Sequence, residues 1–168
     1  MSLADTVSTV DQTTLGSDAS FRRRDAVNQA REFSLLGAFR RRYGDEAVAL
    51  ARHANYEAGF AAGTQALAAA DTQDRGLRTA IALKDQWTQG TPVAEINDRR
   101  AVYRNGTTCS YWAIWKQAGL PIAVGCDYNG AWSEGFLHAV NPRIRHVRQS
   151  WRARGDRVCE DAYELGDE

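Results

Sequence analysis

The feature that most constrains this chain is a change of rhythm near Pro92. Before it, apolar residues recur at spacings of three and four: Ala26, Val27, Ala30, Phe33, Leu36 and Phe39, then Val48, Ala49, Ala51, Tyr56, Phe60 and Leu67, then Leu77, Ile81, Leu83 and Trp87. That spacing gathers apolar side chains on one face of a helix. It predicts three helices: from about Arg22 to Tyr43, from a capping Asp45 through Ala70, and one ending before Gly90 and Pro92. Gly59 and Gly63 lie one helical turn apart and permit another backbone or a ligand to come close.

Beyond Pro92 the residues favour strands and short helices. Val93–Tyr103 mixes Val, Ile and Tyr with polar residues over the length of one strand, and Asn105-Gly106 is a turn. Thr107 or Thr108 would cap a short helix carrying Cys109, Trp112 and Trp115, and a second would run from about Asp127 to Val140. Arg143–Arg154 then alternates, with His146, Arg148 and Ser150 on one side. After the Gly155-Asp156 turn, the return strand Val158–Leu165 places Cys159, Asp161 and Tyr163 together. Helices first and a hairpin last give an α+β fold, N-terminal helices packed on a small antiparallel sheet in the C-terminal half.

A chain of 168 residues can bury about two-thirds of its unfolded surface, enough for one domain without disulfides. Residues 1–20, rich in Ser, Thr and Asp, are expected to form an arm, and residues 21–168 the domain. No apolar run reaches the length of a membrane span, and the first twenty residues lack the basic and apolar parts of a signal peptide. A cytoplasmic location is therefore expected, with no membrane partner. Twenty-one basic and 21 acidic residues leave no net field to attract nucleic acid. The expected partner is a small-molecule substrate, and a homo-oligomer is compatible with the sequence.

Nucleotide-binding, zincin and nucleophile-elbow motifs are absent, which leaves the cysteines as the chemical signal. Cys109 and Cys126-Asp127 fall at expected helix starts, where backbone N–H groups favour thiolate. Cys126 is thus a candidate nucleophile and Asp127 a candidate to direct water, with Cys109 beside them. His138 or His53 would move the proton. Cys159, Arg148, Trp112 and Tyr56 form the substrate-binding set, Arg148 offering a bidentate fork to a carboxylate. The sequence establishes no cofactor. Zinc on three cysteines and a histidine is chemically compatible, although no C-x-x-C pair supplies the usual spacing. The alternative to an enzyme is a non-catalytic small-molecule or metal-binding domain, or a redox sensor, built on the same cysteines.

The succession Cys109, Gly119-Leu120-Pro121, Cys126-Asp127, Asn141-Pro142-Arg143-Ile144, Arg148, Gly155-Asp156 and Cys159 resembles the L-2-amino-thiazoline-4-carboxylic acid hydrolase family, over roughly residues 45–165. The resemblance implies hydrolysis of a small amino-acid-derived cyclic amidine at a carbon bearing nitrogen and sulfur. The chain departs from the family at Trp151-Arg152, where Thr-Leu is usual, and at Glu160-Asp161, where Asp-Phe is usual. Those departures imply an altered substrate pocket or loss of the original activity, and the resemblance leaves open a ring-forming reaction in specialised metabolism.

Overall fold

The computed structural model describes residues 19–88, 92–105 and 109–167, with the side chains of residues 19–26 and 110 not among them. Most of the expected arm, as well as Gly90, Gly106, Thr107 and Thr108, lies outside the described residues. Helices α1 (Ala19–Tyr43), α2 (Asp45–Ala69) and α3 (Leu77–Trp87) precede strands β1 (Val93–Ile96) and β2 (Arg100–Asn105). Then come α4 (Ser110–Gln117), α5 (Ile122–Val140), β3 (Ile144–Ser150) and β4 (Cys159–Leu165). The fold is α+β, with a four-stranded antiparallel sheet in the order β1-β2-β4-β3.

Between α1 and α2 the single residue Gly44 has φ +78, which an L side chain rarely adopts. Gly44, rather than Asp45, occupies the cap position, and the Asp45 carboxylate pairs instead with Arg40 Nε at 2.7 Å. Helices α2 and α5 then meet backbone to backbone. A Cβ on Gly59 would lie 2.0 Å from the Trp132 carbonyl oxygen, one on Gly63 2.4 Å from that of Phe136, and one on Gly135 2.0 Å from that of Tyr56. The two glycines expected to admit a close neighbour admit α5, and Gly135 answers from the other side.

Two buried clusters stabilise the chain. One, including Leu77, Ile81, Phe136, Leu137, Ile144 and Tyr163, fills the space between α2, α3, α5 and one face of the sheet. The other, Phe33, Leu36, Trp115, Ala118 and Leu120, ties α1 to α4 and the start of α5. Helix α1 buries only part of its apolar pattern, since Val27 and Phe39 are exposed.

Three boundaries differ from the sequence expectation. The stretch expected as one strand, Val93–Tyr103, is a hairpin, because Asn97 Oδ1 accepts the amides of Arg99 and Arg100, each at 2.8 Å, and turns the chain. Helix α5 starts at Ile122 and not near Asp127, because Pro121 already has the fixed φ that leads into a helix. The alternating stretch to Arg154 ends its ladder at Ser150, followed by a short 3-10 turn at Arg152–Arg154 and Gly155 at φ +102.

Candidate active site

A cavity of about 540 Å³ opens where the two clusters meet, with Phe33 and Trp115 on one wall and Tyr103 and Tyr163 on the other. The sheet supplies its functional floor. Register aligns Tyr103 with Asp161 and Asp161 with Arg148, and in the next row Ala101 with Tyr163 and Tyr163 with His146. Because side chains alternate along each strand, all the polar members of these rows project to the helical side.

His146 Nε2 lies 2.8 Å from Asp161 Oδ1. A carboxylate accepts, so Nε2 carries a proton, and in the neutral ring the lone pair is then on Nδ1. Among the described residues that Nδ1 has no hydrogen-bond partner. The ring stacks on Tyr163 with centroids 5.1 Å apart. Arg148 Nε donates to the same Asp161 oxygen at 3.0 Å, and its Nη1 donates to Asp127 at 2.9 Å. Burial alone would raise the Asp161 pKa, but the hydrogen bonds and charges of His146 and Arg148 outweigh it and hold the carboxyl below its ordinary range. Asp161 is thus an ionised orienting group, the arrangement that fixes a histidine's tautomer.

All three cysteines line this cavity. Cys109 occupies the cap position of α4. Cys126, expected in a first helical turn, lies in the second turn of α5, where its own amide is not one of the free N–H groups of the helix start. Burial pushes its thiol up to about 11, against the opposing effects of the Trp151 indole N–H, which donates to Cys126 Sγ at 3.4 Å, and of the Arg148 charge. Cys159 Sγ accepts the Arg152 amide at 3.4 Å. Among the described residues no group of three or more His, Cys, Asp or Glu side chains is placed to hold a metal ion.

The other expected residues divide. Arg148 and Trp112 line the cavity, and Arg152 lies over the Trp112 ring at 4.3 Å. Asp127 borders a neighbouring recess of about 230 Å³ and reaches the site only through Arg148. His53 is exposed on α2 and does not line the cavity. His138 is committed elsewhere: its Nε2 lies 2.8 Å from the Ile144 carbonyl, which can only accept, so its Nδ1, 2.9 Å from Tyr56 Oη, accepts from the phenol. His138 and Tyr56 form a strut between α2, α5 and β3 outside the cavity.

Sequence reasoning passed over His146, Asp161, Lys84 and Tyr103. The strand alternation that put His146 beside Arg148 was the usable signal for the first two. Lys84 is buried in the cavity wall, its Nζ 2.8 Å from Asp85 Oδ1 and 4.5 Å from the centre of the Tyr103 ring. Tyr103 Oη donates to the same Asp85 oxygen at 2.8 Å.

No helix of the described residues is long and apolar enough to cross a membrane. A family model described as L-2-amino-thiazoline-4-carboxylic acid hydrolase matches residues 24–163. Neither a curated protein nor a solved structure matches the chain.

Proposed function

The chain belongs to the L-2-amino-thiazoline-4-carboxylic acid hydrolase family, and from that premise we propose that it hydrolyses a small, amino-acid-derived cyclic amidine in the cavity above the sheet. The observation that carries the reading is the His146–Asp161 pair at 2.8 Å, with the imidazole lone pair unpartnered among the described residues. His146 Nδ1 takes a proton from water, and the resulting hydroxide adds to the amidine carbon. The tetrahedral adduct collapses by breaking its bond to ring sulfur or ring nitrogen, and the imidazolium returns the proton to the departing atom. The product is one water heavier than the substrate. Asp161 stabilises the imidazolium, and Arg148 keeps Asp161 ionised and aimed.

Water is favoured over the Cys126 thiol as nucleophile. With a pKa of about 11, Cys126 is thiolate in only about one molecule in ten thousand at neutral pH. In this reading Cys126, Cys109 and Cys159 shape the wall against which the ring lies.

The test is mass-spectrometric turnover of 2-amino-thiazoline-4-carboxylate by wild-type protein, His146→Gln and Cys126→Ser. The expected result is a hydrated, ring-opened product, slowed about 10²- to 10⁴-fold in His146→Gln and little changed in Cys126→Ser. Abolition in Cys126→Ser with His146→Gln unaffected would move the nucleophile to the thiol. Absence of product from folded wild-type protein would refute hydrolysis of this ring.

A further inference from the structure

Two cations line the cavity, Lys84 buried and Arg148 half-buried, and they are not equivalent. Arg148 stands between Asp127 and Asp161, so the cluster it belongs to carries one more negative charge than positive when His146 is neutral. A substrate carboxylate approaching Arg148 would meet two carboxylates already in place. Its Nε and Nη1 are spent on them, and its guanidinium lies over the Trp151 ring at 4.5 Å. Arg148 therefore organises the His146 side of the site and makes a poor anion trap.

Lys84 has the opposite character. It is 6% exposed and lines the same cavity. It faces one carboxylate, Asp85, whose Oδ1 also accepts from the Tyr103 phenol. An ammonium has three N–H donors. Among the described residues the Lys84 ammonium makes one hydrogen bond, to Asp85, and lies over the Tyr103 ring face. An ammonium removed from water with donors to spare is stabilised by an anion that arrives with the ligand.

The position suits such an anion. Tyr103 is directly opposite Asp161 in the β2–β4 register, one strand spacing of about 4.8 Å away. The rings Tyr103 and Tyr163 meet edge to face at 5.8 Å, and Tyr163 stacks on His146, so a continuous aromatic floor runs from the ammonium to the imidazole. A small ring lying on that floor would present one end to Lys84 and another to His146.

We propose that Lys84 is the anchor for the substrate's carboxylate, so that the site selects small cyclic compounds bearing one carboxylate displaced from the reacting carbon. This rests on the hydrolase reading for the nature of the ring, but not for the binding of the carboxylate.

The experiment compares calorimetric binding of 2-amino-thiazoline-4-carboxylate and of 2-amino-thiazoline, which lacks the carboxylate, to wild-type protein, Lys84→Met and Lys84→Arg. Wild-type protein is expected to prefer the carboxylate form by about ten-fold or more, the scale of a charge-assisted hydrogen bond. Lys84→Met is expected to erase the preference, and Lys84→Arg to keep most of it. An undiminished preference in folded Lys84→Met, or no preference in the wild type, including no binding of either compound, overturns the proposal. The wild-type comparison holds even if Lys84→Met fails to fold. Lys84-dependent preference without ring opening would refute hydrolysis of this ring and leave the anchor standing, whereas ring opening with no carboxylate preference would do the reverse.

Discussion

Replacing Gly59 by alanine isolates the contact that holds the cavity together. The new Cβ would lie 2.0 Å from the Trp132 carbonyl oxygen, where ordinary contact begins at 3.4 Å, so α2 and α5 must separate locally by about 1.4 Å. The obstacle is backbone in the middle of a second helix, which cannot swing aside as a side chain can. Overpacking of this kind costs about 1–3 kcal/mol, and the rigid obstacle places it near the upper end. Alanine's better helix propensity returns about 0.8–1 kcal/mol. The net loss is about 2 kcal/mol, a fall in Tm of about 4–8 °C for a chain of this size. Gly130→Ala on α5 is the internal control, because its Cβ would meet only Arg148 Nη2 and His146 Cε1, both at an unstrained 3.8 Å. It should gain the propensity term of about 1 kcal/mol and raise Tm by a few degrees. Thermal and urea unfolding followed by circular dichroism measures both. A Gly59→Ala protein at or above the wild-type Tm, or equal losses in the two variants, would refute the close-packing argument.

Asp161→Asn should flatten the acid limb of stability. The folded-state pKa of Asp161 lies below the ordinary 3.8, so its contribution is present above that value and is lost as pH falls through the folded-state pKa. Urea unfolding at a series of pH values from about 5 downward should therefore show the wild type losing more stability than the variant, and parallel curves would contradict this. Cys126 should alkylate slowly at neutral pH and faster as pH approaches about 11, as peptide mass spectrometry can follow. Rapid labelling at neutral pH would show that its thiol is not held protonated. Trp151→Phe should slow that labelling further by removing the indole N–H from Cys126 Sγ, and unchanged or faster labelling would count against that hydrogen bond. Tyr56→Phe, which leaves His138 Nδ1 without its donor, should cost about 1 kcal/mol and lower Tm by about 2–4 °C. An unchanged Tm would show that the strut contributes nothing.

Much of the architecture was legible in the chain itself. Local periodicity is a local property: the three- and four-residue spacing up to Trp87 and the alternation after Arg143 each require only neighbouring residues, and they settled the helices, the final hairpin and the α+β class. Gly59 and Gly63 announced a close approach for the same reason, since only a missing side chain allows it. Errors arose where one polar side chain or one proline moved a boundary, as Asn97 did for β1 and β2 and Pro121 did for α5. The second of these moved Cys126 out of the first helical turn, and burial, which local sequence does not show, raised its pKa where the helix start was expected to lower it.

The pairing of His146 with Asp161 was decided by tertiary structure. Strand alternation sets His146 beside Arg148 in the sequence, but what separates its role from those of His138 and His53 is the surroundings each ring meets across large stretches of chain. Pairing of β3 with β4 sets His146 and Arg148 against Asp161, a choice of register that a one-residue slip would undo by sending every side chain to the opposite face. Lys84, one of only two lysines, looks like a polar residue in an amphipathic helix until β2 brings Tyr103 over it and the cavity forms beside it. The sequence by itself determined which segments become helices and strands, because that preference is encoded within a few residues. Which groups share a cavity, and so which can act as base, anchor or inert wall, depended on contacts between residues up to 96 positions apart, which only the folded chain creates.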